Sequence, residues 1–389
     1  MKKNIGVKLM VIVALLLIFP AQCWAEGAGS TATKGIGQVG QYNFSIHILA
    51  MLLVGFGFLM VFVKKYGYSA TTGTYLVVGT ALPLYLLLRS TGVLSSEAFS
   101  PDSIKSLLFA EFAAAAALIA MGAVLGRLRV YQYALLAALI VPVYMLNEWL
   151  VLDGGLGITK DFVDAAGSIV IHAFGAYFGL GLTIALTSRQ HREQEIQTDE
   201  TSDRFSMLGS MVLWIFWPSF CSAIVPEADF ARTVINTIMA LCGATLMTYL
   251  VSALLRKGKI SIADMANAAL AGGVAIGATC NRVEPAGAFG IGILAGAVCV
   301  IGYTVIQPRI QSLLKIVDTC GVHNLHGMPG LLGGIIAIIV VPGSAKAQVA
   351  GIVFTVILAF ASGTIAGFII KFTGSKKLAY EDKDEFLEG

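Results

Sequence analysis

Five histidines occur in the chain, and four of them, His47, His172, His323 and His326, lie within long apolar runs. An ionisable side chain at membrane depth is costly, so one that is kept there marks a site or a pathway. Two of the four share a pattern. The chain reads Asp164-Ala-Ala-Gly-Ser-Ile-Val-Ile-His172 and, much later, Asp318-Thr-Cys-Gly-Val-His-Asn-Leu-His326: in each case an aspartate, seven residues and a histidine. Two imidazoles facing one another offer ring nitrogens to a small polar solute, as donors or acceptors, without bringing a formal charge. The plainer reading of the same residues is a set of interhelical hydrogen bonds that hold a bundle together. The aspartates do not face their own histidines, because eight residues of helix turn about 80° beyond two full turns. Each stands near the start of its segment, where a carboxylate takes up free N–H groups and complements the helix dipole. Both read as anchors that shape the ends of a pathway. His191 falls in a charged stretch and reads as solvated.

The elements that must position these residues are membrane helices. Of 389 residues, 57% are hydrophobic and 13% charged, about half the charge fraction of a soluble domain; the mean hydropathy is +0.81. Forty-three glycines suit closely packed membrane helices. A net charge of +3, from basic residues placed singly or in pairs, gives no ground for a nucleic-acid partner. The six cysteines form no CxxC pair and no zinc spacing. Lys2, Lys3 and Lys8 precede a short apolar stretch, and Cys23-Trp24-Ala25 follows it. This reads as a signal peptide, residues 1–25, cleaved after Ala25; an uncleaved first span is the alternative. Eleven helical spans then fit the mature chain, at 42–63, 70–88, 103–125, 131–152, 162–187, 205–223, 231–254, 262–279, 287–306, 317–341 and 349–372. They make a domain of residues 26–373, followed by a tail of residues 374–389.

Loops holding Lys64, Lys65, Arg127, Arg129, Arg256 and Lys257 alternate with loops poor in basic residues. The positive-inside rule places the basic set in the cytoplasm. The mature N-terminus is then outside and the C-terminus inside, as a cleaved signal peptide also requires. A charged loop at 188–204 separates spans 1–5 from spans 6–10. The two Asp–His segments open the fifth span of each group and run in opposite directions, with eight residues carrying each histidine about 12 Å inward. That is the mark of an inverted repeat with its site at the bilayer midplane. The expected fold is an all-α polytopic membrane protein built on this repeat.

Residues 164–180 (DAAGSIVIHAFGAYFGL) and 318–334 (DTCGVHNLHGMPGLLGG) resemble the ammonium transporter/Rhesus superfamily, and Trp217-Pro218-Ser219-Phe220 resembles its Rhesus branch. The resemblance covers essentially the whole mature chain. It implies a bacterial inner-membrane homotrimer in contact with lipid, with one pore per subunit lined by His172 and His326. His323 does not match the pair and is expected to pack. The resemblance also implies two stacked phenylalanines, Phe112 and Phe220, across the outer entrance. The chain departs from the ammonium-transporter branch at Leu152, where a tryptophan is expected, and at Ile224, where a serine is expected; cation–π recruitment should be weak or absent. Glu148, near that mouth, either draws ammonium in or is a solvated rim residue.

A bare ammonium ion is costly to place in an apolar lumen and ammonia is not, so the implied pore sheds the proton outside and conducts ammonia, and also methylamine. It is expected to be a channel rather than an enzyme and to need no cofactor. Three alternatives stay open on the sequence: an electrogenic transporter with the histidines as proton relay, a carbon dioxide channel, and a haem-binding membrane cytochrome.

Overall fold

The computed structural model describes residues 32–94, 100, 102–376 and 378–387. The expected cleavage point after Ala25 lies outside them. The chain divides at Val39 into two units. Of the first unit, the described residues are helical from Ala32. The second, Gly40–Gly389, holds the helical bundle.

In lipid, a backbone must satisfy its own hydrogen bonds, and helices do so. Among the described residues, ten helices are long and apolar enough to cross a membrane: α1 (Gly37–Phe62), α2 (Gly67–Ser90), α3 (Ile104–Val124), α4 (Val130–Val151), α5 (Ser168–Leu186), α6 (Glu200–Ser222), α7 (Glu227–Leu255), α9 (Pro285–Leu314), α10 (His323–Val340) and α11 (Ala345–Phe372). The protein is a multi-pass membrane protein. Expected span eight is α8 (Ile262–Ile276), which is shorter. It is broken into Ile262–Ala268 and Ala271–Ile276, and its fifteen residues reach about 22 Å. Its second half is fully buried. A Cβ on Gly272 would overlap the carbonyl of Ala240, and one on Gly273 the ring of Trp217. The segment is shaped by the neighbours that enclose it rather than by the thickness of a bilayer.

The two halves, α1–α5 and α6–α10, pair their elements alike. α2 packs on α4 as α7 packs on α9, and α3 packs on α5 as α8 packs on α10. α11 closes the set against α5 and α4. Glycine is what lets these backbones approach. A Cβ on Gly292 or Gly296 of α9 would meet carbonyl oxygens of α7, and a Cβ on Gly363 of α11 would meet that of Phe178 on α5.

Expected spans five and ten both begin later than the sequence suggests, at Ser168 and His323 instead of 162 and 317. The reason is shared. Gly167 (φ +78°) and Gly321 (φ +69°) turn the chain through the left-handed region, which glycine adopts without strain. The preceding aspartate then caps the new helix.

The tail folds against the end of the bundle that carries Arg127. Asp382 accepts hydrogen bonds from the backbone N–H of Tyr68 (2.8 Å) and Ser69 (2.9 Å), capping α2. Glu385 accepts from Val130 N at the start of α4, at 3.2 Å. The Lys376 ammonium lies 2.8 Å from Asp384 and 5.4 Å from the centre of the Tyr66 ring.

Candidate functional site

Two short π-turns carry the histidines: Ser168–Ala173 holds His172, and His323–Gly327 holds His326. Asp164 Oδ2 accepts from the N–H groups of Ile169 (3.0 Å) and Val170 (2.8 Å). Asp318 accepts from Val322 (3.0 Å, Oδ1) and His323 (3.1 Å, Oδ2). Both aspartates are buried, and their bonds go to backbone N–H groups, not to the imidazoles of His172 and His326. Each satisfies free donors at a helix start and so fixes the turn on which the histidine stands. Ser168 adds a second tie: its hydroxyl donates to Val274 O (2.6 Å) and accepts from Ala278 N (2.7 Å), fastening the α5 turn to α8.

The two turns bring His172 Nδ1 and His326 Nδ1 to 3.2 Å. The rings are nearly parallel, 9° apart, with centroids 5.3 Å from each other. One nitrogen carries the proton and the other accepts it. Trp217 stacks on His172 at 5.6 Å and 19°, and Phe56 lies along His326 at 6.2 Å and 22°. Aromatic faces therefore brace both imidazoles. His172 Nε2 and the Trp217 indole nitrogen are buried without hydrogen-bond partners among the described residues, which leaves polar capacity for a small solute in an otherwise apolar place.

Phe220 follows Trp217 on α6 and lies 6.0 Å from His172. It meets Phe112 of α3 at 4.9 Å, with the planes 66° apart. The pair is edge-to-face, where the resemblance implies stacking; the ring quadrupoles favour an edge against a face. On the opposite side of the histidines, Phe56, Leu118, Ile119, Gly122, Cys320 and His326 line an apolar cavity of about 30 Å³, room for a water-sized molecule.

Leu152 caps the end of α4 and is partly exposed, as is Ile224 after α6. Glu148 is 4% exposed. Its Oε2 accepts from the Tyr85 hydroxyl at 2.7 Å and lies 3.7 Å from Arg89 Nη1, and its Oε1 accepts from Tyr144 at 3.4 Å. It ties α2 to α4. It is not a solvated rim residue, and both oxygens are engaged rather than turned to an arriving cation. His323 packs edge-on to Tyr177 at 5.7 Å. His47 Nδ1 bonds Ser219 Oγ at 2.9 Å, and its ring stacks on Phe216. His191 caps a short loop helix, its Nδ1 accepting from Ser188 N at 3.2 Å.

Sequence reasoning does not single out Glu111. It is fully buried in α3, directly before Phe112. A signal is present all the same: one carboxylate in the middle of an apolar, alanine-rich run.

The sequence pattern of the Ammonium Transporter Family matches residues 8–387. The ammonium transporter Rh type B of Oryctolagus cuniculus is 45% identical over 299 residues, covering 74% of this chain and 63% of that protein. The Mus musculus Rh type B is 43% identical over 305 residues, covering 76% of this chain and 64% of that protein. The chain thus spans somewhat under two thirds of the length of these relatives. Among solved structures, Nitrosomonas europaea Rh50, described with the mechanism of conduction by the Rhesus protein family of channels, is 65% identical. It covers 91% of this chain and 94% of its own, with a TM-score of 0.90. Candida albicans Mep2, 19% identical with a TM-score of 0.73, covers 84% of this chain and 82% of its own and shares the fold.

Proposed function

We propose, from the premise that the chain belongs to the Ammonium Transporter Family and sides with its Rhesus proteins, that it is a channel for ammonia. The observation that carries this reading is the His172–His326 contact at 3.2 Å, set between an aromatic closure and an apolar cavity. Ammonium sheds its proton on the outer side of Phe112 and Phe220. Ammonia passes between the rings, exchanges hydrogen bonds with the imidazoles, and leaves through the cavity beside Gly122. The paired histidines supply what a neutral polar molecule lacks in a dry pore. Methylamine has the same donor and acceptor chemistry and is expected to pass; carbon dioxide is a further candidate.

In this reading the protein sits in the bacterial inner membrane as a homotrimer. The end bearing Arg127, Lys64 and the docked tail faces the cytoplasm, and the Leu152 end faces out. The signal peptide is removed, so the intact mass of membrane-extracted protein should correspond to a chain beginning at Glu26. A mass that retains Met1 would overturn the cleavage and weaken the orientation with it.

Phe220→Ala tests the closure. Methylamine or ammonia flux in proteoliposomes should change by about tenfold, equivalent to about 1.4 kcal/mol of barrier, with thermal stability and oligomeric state kept. Wild-type flux and selectivity in that variant would make Phe220 a packing residue only.

A further inference from the structure

Glu111 is a carboxyl that the pathway so far does not use. Ser45 of α1 donates a 2.6 Å hydrogen bond to its Oε1, while its Oε2 is buried with no partner among the described residues. An acceptor left bare in a dry interior is costly and calls for an occupant. Its position on α3 supplies one. Leu118 and Gly122, seven and eleven residues on, lie within about 20° of Glu111 around the helix, and both line the cavity beside His326. The next residue, Phe112, meets Phe220. Glu111 therefore stands on the cavity-lining face of α3, at the level of the phenylalanine pair.

The elements around it do not neutralise it. α2 brings Tyr85 and Arg89, and α4 brings Tyr144 and Glu148; these four are joined through Glu148. α5 brings His172, bonded to His326, and α1 brings His47, bonded to Ser219. Ser45 is the one hydrogen-bond partner of Glu111 among the described residues.

We propose that Glu111 is the proton acceptor at the phenylalanine closure. The proposal rests on the ammonia reading above. Ammonium arriving at Phe112 and Phe220 gives a proton to Glu111 Oε2: one N–H bond breaks, one O–H bond forms, and neutral ammonia moves on to His172. The carboxylic acid then returns its proton to water at the same mouth. Nitrogen crosses the membrane and charge does not.

The test is Glu111→Gln, an isosteric change that keeps an acceptor for Ser45. Full-length wild type and variant are reconstituted in vesicles, and ammonium-driven pH change is followed by stopped flow over a range of external pH. Where ammonium predominates outside, the variant should be about tenfold slower or more, as expected on losing a positioned base. The gap should close as pH is raised and the solute arrives already neutral. An equal loss at every pH, or no loss, overturns the role of Glu111 and leaves ammonia conduction standing. Absence of flux in the wild type would overturn the ammonia reading itself. Should the variant fail to fold, the wild type gives a second test. Carbodiimides add to protonated carboxyls, so labelling of Glu111, mapped by peptide mass, should rise several-fold when ammonium chloride replaces sodium chloride at fixed pH. Equal labelling in the two salts, or none, overturns the proposal.

Discussion

Replacing His172 with leucine is expected to slow ammonia conduction by about a hundredfold, equivalent to about 2.7 kcal/mol. That matches the cost of leaving a polar group without a hydrogen-bond partner in an apolar site. His172 and His326 exchange a hydrogen bond at 3.2 Å, and the neighbouring rings of Trp217, Phe220 and Phe56 offer no acceptor. His326→Leu should act alike, because either change removes one half of the pair. His172→Glu differs in kind: a carboxylate there could stabilise a cation and admit charge. The measurement is current on a solid-supported membrane carrying the purified protein, set beside stopped-flow pH change in vesicles. Wild type should show pH change without sustained current. A sustained ammonium-dependent current in wild type, absent in both leucine variants, would overturn the neutral channel in favour of a proton relay. Leucine variants that conduct as wild type would remove the histidines from the pathway.

Gly292→Val is expected to lower stability by about 3 kcal/mol, the upper range for overpacking. The added carbons have no room, since even a Cβ would overlap the carbonyl of Ala240 on α7. Membrane helices gain little from apolar burial against lipid and depend on such close approach, so forcing α7 from α9 removes the attraction that joins them. Gly290 is the control. It lies two residues away on the same helix, and a Cβ there meets nothing within 4 Å among the described residues. Gly290→Ala should leave stability unchanged or raise it by up to about 1 kcal/mol through helix propensity. Thermal unfolding in detergent, followed by size-exclusion chromatography, compares the two. Equal melting of both variants would mean that α7 and α9 do not meet backbone to backbone.

Several features are legible without coordinates because they rest on local composition or on repetition. Apolar runs of about twenty residues can only be membrane helices. Two Asp-to-His segments in opposed halves place two histidines at one depth, and the structure brings those residues together. The capping aspartates are readable for the same reason: a carboxylate before a helix start has few other uses. Phe112 and Phe220 are identified through resemblance alone, since a phenylalanine in an apolar run carries no local sign of what it meets.

What the sequence by itself determined is therefore the membrane class, the approximate places of ten of the eleven expected spans and the pairing of the two histidine segments. Tertiary structure alone decided the rest. Glu148 reads as a rim carboxylate until α2 folds Tyr85 and Arg89 against it, 63 and 59 residues earlier in the chain. The π-turns and the break in α8 answer to where glycines, Ser168 and Trp217 must fit, not to local propensity. The docked tail depends on free N–H groups of α2 and α4 that lie far from it in sequence. The physical reason is common to all of these. Hydropathy is a sum over neighbours in the chain, whereas the satisfaction of a buried polar group depends on partners that only packing brings within about 3 Å.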